Sequence, residues 1–224
     1  VIEPDIAVRW RDVRARVDAA CARAGRDPAE VTVVAVAKTQ PVERVREAVA
    51  AGAVDIGENY AQELATKRAE VAGARWHFIG RLQRNKVKLV AGQVALVHAV
   101  DSADLAAELS KRTPDGAVQR VLIAVNVAGE ATKGGVAPAD APALAHAIAD
   151  LPRLALDGLM TMPPPDVDPR PAFEGLRRLR DDLAAGCGAG LPVLSMGMSS
   201  DFEVAIGCGA THVRIGTAIF GARA

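Results

Sequence analysis

The sequence predicts a single (β/α)8 TIM-like barrel, and three observations carry that prediction. Short apolar runs recur along the 224 residues at 32–37, 54–57, 75–79, 95–100, 120–127, 155–160, 193–196 and 211–215. Helical patterns lie between most of them, and strands alternating with helices mark a parallel α/β fold. The number of runs and the chain length favour a closed barrel over an open doubly wound sheet. No GxGxxG follows the first run, as a Rossmann-like site would require.

The elements follow in order. Ile6, Trp10, Val13, Val17, Cys21 and Ala24 recur at spacings of three and four. They predict an extra N-terminal helix that stops at Gly25, with Pro28 beyond. The first strand lies in "VTVVAVAKTQP", residues 31–41, where Thr32 is the one polar side chain before Lys38. Such a run suits a strand buried on both faces. Lysine is rarely buried unless it is paired or reactive. Lys38 is therefore either a solvated strand end or a desolvated amine poised to form a Schiff base. The runs at 54–57 and 75–79 lead into "GENYAQE" and "GRLQRNK". The stretch 81–94 has room only for a short helix. Ser102 is placed to cap a helix over 102–112, with Leu105 and Leu109 facing inward. The fifth run ends on Asn126, and Lys133 lies in the loop after it. Leu144 and Ile148 mark a helix within 138–150, and Phe173, Leu176, Leu179 and Leu183 mark another over 172–185. The proline-rich 163–171 reads as a loop, because the alternation continues on both sides of it. No linker stands out, so residues 1–224 are expected to form one domain.

Composition excludes several functions. Lys plus Arg and Asp plus Glu are both 27, so the formal net charge is zero. That balance gives no reason to expect binding to nucleic acid or an anionic membrane. Aromatics at 3% leave no stacking platform for single strands. The three cysteines, Cys21, Cys187 and Cys208, form no CxxC pair. They suit a reducing, cytoplasmic protein without disulfides or a zinc site. No run reaches the ~20 apolar residues of a membrane span. The N-terminal residues do not read as a signal peptide. The four histidines show neither HxH nor HExxH spacing, so no metal site is expected. His77, His98 and His212, in strand-like runs, are expected to be hydrogen-bonded structural residues. Cys208 is expected to be a buried small hydrophobe.

A barrel places its site at the C-terminal ends of its strands, and phosphate sites often use the loops after strands 7 and 8. "GMSSD" (197–201) follows strand 7 and "RIGTAIFG" (214–221) ends strand 8. Ser199, Gly216 and Thr217 supply small donors for phosphate oxygens. Ser199, Ser200 and Asp201 could equally serve as a helix cap, and Gly216–Thr217 as a plain turn. An amine on strand 1 opposite a phosphate cradle fits a phosphorylated aldehyde. That means pyridoxal 5′-phosphate (PLP), or a phosphosugar on a Schiff-base aldolase. Strand alternation puts Arg214 and Gly216 on the same inward face. There Arg214 can reach a pyridine nitrogen, or it can be an ordinary ion-pair partner.

The segments "AVAKTQP", "IGENYAQE", "WHFIGRLQRNK", "VNVAGEATKGG", "GLMTM" and "LSMGMSSDFEVAIGCGATHVRIGTAIFGAR" occur in this order. From about residue 32 onward the sequence resembles the PLP homeostasis proteins, the YggS/PROSC family. The resemblance implies a barrel similar to the N-terminal domain of alanine racemase (fold-type III PLP enzymes), without the racemase's C-terminal β-domain. It implies that Lys38 holds PLP as a Schiff base and that Ser199, Gly216 and Thr217 bind its phosphate. It also places Arg214 at the pyridine nitrogen and Asn59 near the ring. Ala37 and Ala210 stand where the family more often has serine, and the chain stops at Ala224 without the family's frequent following tyrosine. An arginine cannot protonate the pyridine nitrogen, so PLP beside it is a weaker electron sink. A two-base racemase needs a second base, a tyrosine in alanine racemases. The one tyrosine here, Tyr60, is expected to pack against the following helix. The resemblance therefore implies a monomeric cytoplasmic carrier that buffers PLP for vitamin B6 homeostasis. It would hand the cofactor to apo PLP-dependent enzymes and have no catalytic residues. A weak amino-acid racemase is the alternative, and an aldolase a more distant one. Lys133 is a candidate second docking point for PLP. Arg84, Lys86 and Lys88 read as a solvated basic face.

Overall fold

In the computed structural model, residues 5–129, 134–187 and 190–221 are described. The eight predicted runs form the eight strands. They are β1 (Thr32–Val36), β2 (Asp55–Glu58), β3 (Arg75–Phe78), β4 (Leu96–Val100), β5 (Gln119–Ala124), β6 (Leu154–Met160), β7 (Val193–Ser195) and β8 (His212–Ile215). They close in sequence order into a barrel. Every pairing is parallel, including the closing β1–β8 seam, where Val34 lies opposite Arg214 and Ala35 opposite Ile215. Alternation then sorts the side chains. Val33, Ala35, Ile56, Trp76, Phe78, Val121, Ile123, Leu194, Val213 and Ile215 join the main core between strands and helices. Leu96, Leu122, Val193 and Met160 form a small apolar plug of their own. The register shifts within the β5–β6 pairing. Gly158 sits there with φ 154°, and a Cβ on it would lie 1.9 Å from the Val193 carbonyl oxygen. Only glycine fits that approach.

The outer helices are α1 (Ile6–Arg23), α2 (Val42–Ala50), α3 (Ala61–Glu70), α4 (Ala103–Arg112), α5 (Ala141–Ala149), α6 (Arg170–Cys187), α7 (Phe202–Gly207) and α8 (Thr217–Phe220). Ser102 caps α4 as expected, accepting from Leu105 N at 3.3 Å. The expected weak region after β3 is a 3₁₀ segment, Arg84–Leu89. The ring has one substitution that the sequence pattern does not reveal. α8 has four residues, too few to cover the β8–β1 seam. The 18-residue α1 packs there instead, against α7, α8 and α2. Its apolar stripe, Ile6, Trp10, Val13, Val17, Ala20 and Cys21, is buried. Each large side chain of that stripe contributes about 1.5–3 kcal/mol by leaving water. At its edge the Arg16 guanidinium lies 4.6 Å from the Phe202 ring centre and pairs with Glu203. The N-terminal helix is thus the functional eighth helix of the ring. Among the described residues, no helix is long and apolar enough to cross a membrane.

Candidate functional site

At the C-terminal ends of the strands lies a cleft of about 320 Å³. Lys38, Asn59, Ser199, Arg214, Gly216 and Thr217 all line it. Residues from β1, β2, β7 and β8 thus converge on one volume, as the barrel geometry requires. Ser200, read from the sequence only as a possible helix cap, also lines it, as do Ile79, Met162, Met198 and Phe220, which the sequence did not single out. A larger depression of about 850 Å³ adjoins it, sharing Asn59. It borders the 3₁₀ segment after β3, where an α-helix would otherwise stand, and Lys38 does not line it.

Lys38 follows β1, and the backbone around it is clamped from outside the barrel. Lys67 on α3 is 5% exposed. Its ammonium donates to the Ala37 carbonyl oxygen at 2.8 Å, to Glu58 Oε1 at 2.6 Å and to Glu63 Oε2 at 2.8 Å. Glu63 in turn accepts from Thr39 N at 2.9 Å, and Glu58 accepts from Asn59 N at 3.2 Å. One buried cation therefore fixes the residues on both sides of Lys38 and the backbone of Asn59. Thr39 has φ 63°, a left-handed conformation that a β-branched residue adopts only when its surroundings enforce it. Burial pushes the Glu58 carboxyl up from its ordinary value, against the opposing pull of Lys67. Burial acts the same way on Glu63, but hydrogen bonds from Lys67 and Thr39 outweigh it and hold that carboxyl low. Lys67 reads in the sequence as a solvent-facing helix residue. The i,i+4 pair with Glu63 was the available signal, joined to a glutamate ending a buried strand.

On the opposite rim the capping reading of "SSD" fails. The N-cap position of α7 is Asp201, whose side chain makes no cap hydrogen bond within α7. Its carboxylate accepts from Met198 N at 2.6 Å and tightens the loop instead. Ser199 Oγ accepts from Ala218 N at 3.4 Å, tying the β7 loop to the turn after β8. Gly216 has φ −111°, open to any residue. A Cβ there would meet Val36 at 3.5 Å, an ordinary contact. Neither backbone nor packing demands glycine, so what it leaves is space in the cleft.

Arg214 is 6% exposed. It donates from Nη1 to Ser195 Oγ at 2.6 Å and from Nη2 to the Thr161 carbonyl oxygen at 2.9 Å. Burial lowers its pKa to about 10, which leaves it charged at neutral pH. Among the described residues no carboxylate forms an ion pair with it, which sets aside the ion-pair reading. Asn59 Oδ1, in the same wall, is a buried acceptor without a donor. Tyr60 departs from expectation. It is 52% exposed, at the N-cap position of α3, and lines the larger depression rather than packing under the helix. Cys208 is buried, as expected. Lys133 lies outside the described residues.

Known proteins share this architecture. The family model described as "Alanine racemase, N-terminal domain" matches residues 9–224. The pyridoxal phosphate homeostasis protein of Pseudomonas aeruginosa is 50% identical over 221 residues, covering 97% of this chain and 96% of that protein. This chain belongs to the pyridoxal phosphate homeostasis protein family. The Aquifex aeolicus member is 48% identical, covering 96% of this chain and 97% of that one. Among solved structures, PipY of Synechococcus elongatus with PLP bound superposes with a TM-score of 0.85. It is 32% identical and covers 96% of this chain and 100% of that one. Alanine racemase of Corynebacterium glutamicum, at 20% identity and TM-score 0.69, shares the fold over 61% of its length. The family and fold expected from the sequence motifs both hold.

Proposed function

We propose that this chain binds PLP on Lys38 and serves as a cytoplasmic carrier that buffers the cofactor, rather than as a catalyst. The observation that carries this reading is the make-up of the cleft. It holds one amine, one buried guanidinium and a rim of small hydroxyl and glycine residues. Among the described residues its wall contains no carboxylate, histidine, cysteine or tyrosine. The residues present fit PLP. Gly216 leaves space that folding does not need, Asn59 Oδ1 lacks a donor, and Arg214 offers a donor-only cation. When bound, PLP supplies an aldehyde that condenses with an amine and releases water.

In this reading the Lys38 ammonium gives up a proton and its amine forms the Schiff-base linkage. Ser199, Gly216 and Thr217 donate to the phosphate. Arg214 faces the pyridine nitrogen and, having no proton to give, keeps it unprotonated. Asn59 packs beside the ring. Two-base α-proton exchange on an amino acid needs a second proton-transfer group, and the described wall holds no carboxylate, histidine, cysteine or tyrosine for it. The names of the curated relatives and the PLP in PipY support the same reading. As a carrier the chain would act as a monomer with an open cleft and pass PLP to apo PLP-dependent enzymes. A dimer in sedimentation would overturn the monomer.

The test is the visible spectrum during titration with PLP. Wild type is expected to develop a visible band that Lys38→Ala lacks. A band unchanged by that substitution would sink the lysine assignment. Deuterium exchange at an amino acid's α-carbon at ordinary enzyme rates would overturn the carrier reading.

A further inference from the structure

Three histidines and an aspartate meet inside the barrel, next to the apolar plug, where His77 lies opposite Leu96 and Ser195 opposite Met160. Asp55 (β2), His77 (β3), His98 (β4), Ser195 (β7) and Arg214 (β8) form an unbroken chain across five strands. His77 Nε2 lies 2.8 Å from Asp55 Oδ1, and His77 Nδ1 lies 3.0 Å from His98 Nε2. His98 Nδ1 lies 2.8 Å from Ser195 Oγ, which accepts from Arg214. Asp55 is anchored at the far end by Arg75, whose Nη2 donates to Oδ2 at 2.7 Å. His77, His98 and Ser195 are all buried.

The two ends fix the bonds at their own partners, because a guanidinium can only donate and a carboxylate can only accept. Ser195 accepts from Arg214 and still has its own proton to give, and His98 Nδ1 lies within reach of it. With that proton on the Ser195–His98 bond, His98 donates from Nε2 to His77 Nδ1 and His77 donates from Nε2 to Asp55, so every group is satisfied. Burial drives His98 well below its ordinary value, helped by the Arg214 guanidinium, which suits a neutral ring that accepts at Nδ1. The His212 ring, 6.0 Å from both, is itself lowered to about 3 by burial.

We propose that Ser195, His98, His77 and Asp55 are positioning residues, a one-way relay that holds the Arg214 guanidinium at the cleft. The relay gives a buried cation an acceptor that is not itself a carboxylate. No ion pair among the described residues holds Arg214, and the nearby Asp201 carboxylate favours its charged form through space. The distant carboxylate of Asp55 completes the chain through aligned dipoles. Only the binding part of this inference rests on the reading of the cleft as a PLP site.

The first test uses the protein without PLP. Ring-15N correlation spectra should show His77 and His98 as Nε2–H tautomers, with His98 not titrating between about pH 5 and 8. A proton on Nδ1 of either ring, or titration of His98 in that range, overturns the relay. The second test measures PLP binding and the ring-15N shift of bound labelled PLP. Ser195→Ala should weaken binding about tenfold, the effect of losing one charge-assisted hydrogen bond, and should move the shift. Ser195→Thr should restore both. Leu122→Val, in the apolar plug, should leave both at wild-type values. If Ser195→Ala matches wild type, or Leu122→Val loses as much, the positioning role is wrong. If wild type itself binds no PLP, the cleft reading fails, while the tautomer result still decides the relay.

Discussion

Two buried polar networks flank the cleft, and they are built on opposite principles. The clamp outside the barrel, Lys67 with Glu58 and Glu63, is made of full charges from β2 and the adjacent α3. Its members lie within ten positions of each other, and it holds backbone. The relay inside the barrel links one carboxylate to one guanidinium through two imidazoles and a hydroxyl, is drawn from five strands, and holds a side chain. Charges suit the first task because a cation can gather three acceptors at once, whatever their direction. Groups that both donate and accept suit the second: a neutral imidazole has one donor and one acceptor nitrogen, and a hydroxyl can accept on one side while donating on the other. The difference teaches that burial alone does not identify a site residue. What matters is whether a network fixes a position or an orientation.

The largest effect should come from breaking the clamp. Lys67→Met leaves Glu58 buried without its cation, which costs about 3–5 kcal/mol. Urea unfolding at neutral pH checks this. Adding Glu58→Gln should recover part of the loss, since it removes the uncompensated charge. Full additivity would show that the pair is not coupled.

Acid should separate the two networks next, because Glu58 in the clamp and Asp55 in the relay shift in opposite directions. Burial would raise Asp55, but hydrogen bonds from His77 and Arg75 outweigh it and lower it from 3.8 to about 2. Its contribution, on the order of 2 kcal/mol, is present above about pH 4 and lost as pH falls toward 2. Asp55→Asn should flatten stability over that window. Glu58 has a raised folded pKa, so the folded state binds its proton first. Its contribution falls as pH rises through the region above 4.5, and Glu58→Gln should remove that slope. Unfolding midpoints measured from pH 2 to 7 test both signs. The same slope in both variants would erase the contrast.

The smallest effect concerns strain beside Lys38. Thr39→Gly should stabilise the fold by about 1 kcal/mol, because glycine adopts the left-handed conformation without penalty. Its N–H to Glu63 is retained, so the clamp survives. A lower melting temperature would mean that the threonine side chain itself supports the turn.

Much of this was legible in the sequence, and the rest was hidden for specific reasons. Each strand was marked by its own apolar run, and the parity of Arg214 and Gly216 placed both on the inner face. Parity likewise turns His77 and His98 inward, between Trp76 and Phe78 and between Val97 and Ala99. Parity does not give height along the barrel. That depends on register, which shifts at β4–β5 and β5–β6, so the meeting of Asp55, His77, His98 and Ser195 could not be read. Lys67 was hidden because a lysine on a helix normally faces water. The role of α1 was hidden because it depends on how short α8 is; Gly221, which ends α8 at φ 86°, was the available stop signal.

That substitution has a consequence for how the protein is made. α1 meets partners almost the whole chain later: Arg16 pairs with Glu203, and Arg26, just after the helix, donates to the carbonyls of Ile206 and Ala210. β1 must also wait for β8. Contacts this distant in sequence slow folding. The seam that finishes the barrel is also the one that brings Lys38 to Arg214, so the cleft depends on pairing the first strand with the last.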